Sequence, residues 1–123
     1  MIRIKDNLRV SILRNEIILV LPIIASVFSG YGYDCVVTCF DKGHKKDDPH
    51  TNGFAVDLRT KHIERDSISK QIAAKIQEAL GSLYYVQYEP DVWEVDSITG
   101  EDKQTHFQHI HVQVRKDIWP DIK

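Results

Sequence analysis

Two fragments of the chain carry side chains that could do chemistry together. In "PHTNGFAVDLR", residues 49 to 59, His50 stands seven residues ahead of Asp57, with Gly53 and Ala55 between them. In "HFQHIHVQV", residues 106 to 114, His109 and His111 alternate with apolar residues. Two imidazole nitrogens and one carboxylate oxygen, with a fourth position left for water, form the ligand set of catalytic zinc. A structural zinc normally closes with four ligands, often cysteines.

Strand alternation shows how these groups could meet. In "FAVDLR", Phe54, Val56 and Leu58 share one face, and Ala55, Asp57 and Arg59 share the other. The small Ala55 leaves room beside Asp57, and Gly53 permits a tight bend by which His50 folds back toward the same point. In "HIHVQV", Ile110, Val112 and Val114 take the core face, and His109, His111 and Gln113 the other. Imidazoles two residues apart on one strand face lie about 7 Å apart, so either can reach a site shared by His50 and Asp57. Either fragment alone also reads as solvent-facing polar residues; their presence together in one short chain favours a shared site.

The elements that must position these groups can be read along the chain. "IILVLPIIASVF", residues 17 to 28, is expected to be a buried helix kinked at Pro22. A turn at "GYGYD" leads to a strand, "CVVTCF", and then to a polar Lys/Asp-rich loop over residues 41 to 52. "GFAVDLRT" is the next strand. Asp66 or Ser67 caps a helix in which Ile68, Ile72, Ile76 and Leu80 recur every four residues, with Gly81 as its stop. "SLYYVQYE", residues 82 to 89, is a strand, residues 90 to 105 form a hairpin or a lid loop, and "HFQHIHVQV" is the last strand.

Composition narrows the function classes. A chain of 123 residues is expected to form one domain around one core, with no room for a separate targeting or binding module. A formal charge of −2 and a pI near 6.3 argue against a nucleic-acid binder that works by neutralising phosphates. Lys42, Lys45 and Lys46 are offset by Asp41, Asp47 and Asp48, which makes this a solvated loop. Cys35 and Cys39 on one strand would lie about 13 Å apart, too far for a mutual disulfide, and read as reduced thiols suited to a cytoplasm. The apolar run 17 to 28 is too short to span a bilayer. A signal peptide is disfavoured by Asp6 and Glu16 and by the lack of a small-x-small cleavage site before Tyr31.

"HTNGFAVD" fits HxxGxAxD, and with "HIHV" downstream the chain resembles the zinc peptidase superfamily of D-alanyl-D-alanine carboxypeptidases and dipeptidases, phage peptidoglycan endopeptidases and the hedgehog signalling domain. The resemblance implies a small single-domain α+β fold, with a central, mainly antiparallel sheet and helices packed on one face. It also implies one Zn2+ held by His50, Asp57 and His111, with His109 beside the metal to stabilise a developing oxyanion. The family's general base is a glutamate after an aromatic strand. "VQYEPD" offers Glu89, with Glu94 and His106 as alternatives; Gln108, three residues before His111, cannot act as a base. Asp48 stands where the family often has Ser and would orient His50. Lys42 is a nearby candidate for substrate binding, where dipeptidase-type members carry Arg.

The function implied is a zinc metallopeptidase, carboxypeptidase or endopeptidase, acting on D-Ala-containing bonds of peptidoglycan stem peptides or cross-links. The expected partner is the cell-wall peptide. Neither nucleic acid nor membrane insertion is expected, and a monomer is the simplest state. Synthesis in the cytoplasm without a signal peptide, in a phage-encoded protein that reaches the wall after release, fits this reading. The alternative is a catalytically inactive, hedgehog-like zinc-binding recognition module, and the presence or absence of a glutamate beside the metal discriminates the two.

Overall fold

Runs of β-branched and aromatic residues make the strands, and four-residue apolar spacing makes the long helix. The computed structural model describes residues 2–4, 15–39, 54–106 and 108–115. Its elements are β1 (Ile2–Ile4), α1 (Asn15–Ile18), α2 (Leu21–Gly30), β2 (Cys35–Cys39), β3 (Ala55–Arg59), α3 (Asp66–Leu80), β4 (Tyr84–Glu89), β5 (Val92–Val95), β6 (Asp102–His106) and β7 (His109–Val114). A five-stranded sheet runs in the order β1-β2-β3-β7-β4. Among the described residues, only the β1–β2 pair is parallel. The class is mixed α+β with a mainly antiparallel sheet, as expected.

The core joins Ile17, Ile24 and Phe28 from the first two helices and Ile72 and Ile76 from α3 to Val37, Val56, Leu58, Ile110, Val112 and Val114 of the sheet. Alternation holds along β7, where Ile110, Val112 and Val114 are buried and His109, His111 and Gln113 are half-buried. In β3, Ala55 and Asp57 are buried as well as Val56 and Leu58, so this strand is covered on both faces at the level of Asp57. Replacing Ile76 by alanine should cost about 2–5 kcal/mol, because a fully buried side chain leaves a cavity that its neighbours fill only in part. The loss will appear as a lower urea midpoint with an unchanged m-value.

The apolar stretch 17 to 28 differs from the kinked, buried helix expected. It is two helical segments, and Pro22 lies in the first turn of α2, where its missing N–H is no loss. Ile18, Leu19 and Ile23 are exposed, so one side faces solvent. Among the described residues, no helix is long and apolar enough to cross a membrane.

α3 starts one residue earlier than a cap at Asp66 requires and two earlier than a cap at Ser67: Arg65 is its N-cap, in an extended conformation without a capping side chain. Asp66 is instead an acid in the first turn, favourable to the helix dipole, and accepts a 2.7 Å hydrogen bond from the Tyr88 hydroxyl. Gly81 stops the helix at φ 81° and ψ −170°, a conformation that only glycine adopts freely. The Gln77 side chain donates to the carbonyls of Gly81 (3.0 Å) and Tyr84 (2.9 Å) and accepts from the backbone N–H of Val86 (3.0 Å), which ties β4 to α3.

Residues 90 to 105 resolve as a hairpin. β5 and β6 form a separate antiparallel sheet, and Asp96 Oδ1 accepts the N–H groups of Ile98 and Thr99 at its turn. The last strand begins at His109 and not at His106, which instead ends β6 opposite Val92. Cys35 and Cys39 do share a strand, β2. Burial pushes the free Cys35 thiol up to about 12, which makes it unreactive at neutral pH.

Candidate functional site

β7 lies between β3 and β4, and the register of both ladders sets the site. Asp57 pairs with His111 and Arg59 with His109 on one side; Gln87 pairs with His111 and Glu89 with His109 on the other. Side chains of directly paired residues share a face. Asp57, His109, His111 and Glu89 therefore converge opposite the apolar core.

Asp57 Oδ1 lies 3.0 Å from His111 Nδ1 and 3.6 Å from His109 Nε2. His109 Nε2 is also 2.8 Å from Glu89 Oε2, close enough for its N–H to donate to that carboxylate. Asp57 and both imidazoles are largely shielded from water, whereas the Glu89 side chain is 36% exposed and in contact with solvent. On its other nitrogen, His111 lies 2.7 Å from Oε1 of Gln113, and its ring stands edge-on to Tyr85 with centroids 6.3 Å apart. Burial pulls the His111 pKa down, but hydrogen bonds to Asp57 and Gln113 and the charges of Asp57 and Glu89 outweigh this and raise it above the ordinary value.

The donor atoms of Asp57, His109 and His111 all lie within 4.8 Å of one another and could hold a metal ion. The spacing fits. Bonds of 2.0–2.1 Å in a tetrahedral site put ligand atoms roughly 3.3 Å apart, and the two separations from Asp57 Oδ1 fall on either side of this value. A metal-ligating imidazole usually gives its second N–H to an acceptor, and Gln113 supplies one to His111. Two nitrogens and one carboxylate oxygen suit zinc and other borderline divalent metals alike.

Of the residues singled out from the sequence, Asp57, His109, His111 and Glu89 come together here. His50, Asp48 and Lys42 lie outside the described residues. Glu94 is exposed on β5 and His106 ends β6, both on the separate hairpin sheet. Gln113, Asp91, Gln108 and Thr60, which are hydrogen-bonded beside the site, carry no site role that the sequence alone reveals. Gln113 could have been suspected, since alternation already put it on the face of His111.

Fold and site together define a small α+β protein with a shielded Asp–His–His group able to hold a metal and a carboxylate against one imidazole. No family model, curated protein or solved structure matches the chain.

Proposed function

We propose that the protein is a zinc-dependent peptidase acting on the peptide part of bacterial peptidoglycan, at a bond involving D-alanine or a neighbouring cross-link. The observation that carries a hydrolase is the contact of Glu89 Oε2 with His109 Nε2, 2.8 Å, beside the Asp57–His111 pair. The substrate class rests on the resemblance of HxxGxAxD and HxH to zinc peptidases of the cell wall.

In this reading Asp57 and His111, with His50, hold the metal. When bound, zinc lowers the pKa of a water toward about 7 and polarises a carbonyl. Glu89, partly open to solvent, takes the proton of the attacking water and delivers it to the leaving amine, so the peptide bond yields a carboxylate and an amine. His109, within reach of Glu89 and Asp57, stabilises the negative charge that develops on the scissile carbonyl oxygen. The carboxylate beside the imidazole favours an enzyme over a module that only binds.

His109→Ala separates two roles for that imidazole. As an oxyanion stabiliser it is not a ligand, and the variant should retain one zinc while hydrolysis falls about 10²–10³-fold. Loss of zinc from this variant, measured by elemental analysis, would make His109 a ligand instead.

The function itself is tested by mass spectrometry of peptidoglycan and free stem peptides incubated with zinc-loaded protein, with a chelated control. Products that vanish with the chelator are expected, and their masses name the bond. Absence of products from a protein shown to hold zinc would favour a recognition module.

A further inference from the structure

We propose that Asp91 is a positioning residue that holds Glu89 against His109 through a brace made with Gln108 and Thr60. This deepens the peptidase reading and rests on it for the catalytic meaning of the pair, although the brace has its own readout. Glu89 and His109 form the last rung of the β4–β7 ladder, at the fork where the chain leaves through β5 and returns from β6. An antiparallel pair frays at such an end, because no further rung restrains it. The fork is where the proposed base sits.

Asp91 closes it. One carboxylate oxygen accepts the backbone N–H of Gln108 at 2.8 Å, and the other accepts the Gln108 side-chain amide at 3.1 Å. Gln108 Oε1 in turn accepts the Thr60 hydroxyl at 3.1 Å. Each member adjoins the site in sequence: Asp91 is two residues beyond Glu89, Gln108 directly precedes His109, and Thr60 directly follows Arg59, the β3 residue paired with His109. The ends of β3, β4 and β7 are thus tied together immediately beyond the functional groups. Hydrogen bonds to an ionised carboxylate are roughly twice as strong as neutral ones, and two from one acidic side chain fix orientation as well as distance. Gln108, unable to act as a base, has its role in this brace.

The test uses the full chain with Asp91→Ala, Asp91→Asn and Gln108→Ala. Long-range 15N–1H correlation of the imidazole rings in metal-free protein reports the Glu89 contact at His109 Nε2 and, separately, the Asp57 contact at His111 Nδ1. The expected result is a shift at His109 Nε2 in the folded variants, with His111 Nδ1 little changed. With the stem peptide as substrate, kcat should fall 10–100-fold at unchanged KM and zinc content. Unchanged His109 resonances in a folded Asp91→Ala protein overturn the proposal, as does a lower unfolding temperature with unaltered kcat. Should Asp91→Ala not fold, Asp91→Asn and Gln108→Ala give the same two readouts. If wild-type protein cleaves no peptide, the peptidase reading fails while the ring resonances still decide the brace.

Discussion

Replacing Glu89 by glutamine is expected to leave zinc content unchanged and to lower hydrolysis about 10²–10⁴-fold, the usual contribution of a positioned general base. The amide keeps the length and shape of the carboxylate and can still accept a hydrogen bond from His109 Nε2, which lies 2.8 Å from Oε2. What it loses is the capacity to take a proton from water. The fall should therefore appear in kcat. Elemental analysis for zinc and progress curves on a stem peptide give the two halves of the result. Full activity would remove Glu89 as the base and turn attention to Glu94, although that side chain is exposed on β5.

The second large effect is loss of the metal from Asp57→Ala. Oδ1 of Asp57 faces both imidazoles, 3.0 Å from His111 Nδ1 and 3.6 Å from His109 Nε2, and the residue is buried. Alanine removes one of the proposed ligands and the negative charge that would balance a divalent cation where water screens it poorly. Outer ligand partners alone are worth about 10–100-fold in affinity, so removal of a direct ligand should exceed 100-fold. Under the proposed function, zinc at 100 times the wild-type Kd should stabilise the wild-type protein by about 2.7 kcal/mol. That gain should vanish in the variant. Thermal unfolding with and without zinc measures it, and a zinc-dependent shift preserved in Asp57→Ala would take Asp57 out of the site.

Much of this site was legible because strand alternation is a local property. "FAVDLR" and "HIHVQV" each place their polar groups on one face, and the paired register of β3 and β7 turns two local patterns into one cluster. Glu89 was legible as the acid that ends an aromatic strand, and the rung opposite His109 gives it its place. The brace was not legible. Asp91 and Gln108 are 17 residues apart in sequence, and only the closure of the hairpin brings them together. β1 was missed for a similar reason: three residues offer too little alternation, and their partner is β2, more than thirty residues on. From sequence Pro22 looks like a kink, because its position relative to a helix start depends on where the chain turns, at Leu19 and Val20.

The link from Gln77 to β4 has a consequence for how copies of this protein behave toward one another. β4 is the border of the five-stranded sheet, and a border strand offers its backbone groups as a template to any other chain. Gln77 occupies the carbonyl of Tyr84 and the N–H of Val86, so its amide imitates a rung of a neighbouring strand. At the start of β4, the end away from Glu89, a helix side chain in this way guards the border strand against strand-to-strand aggregation.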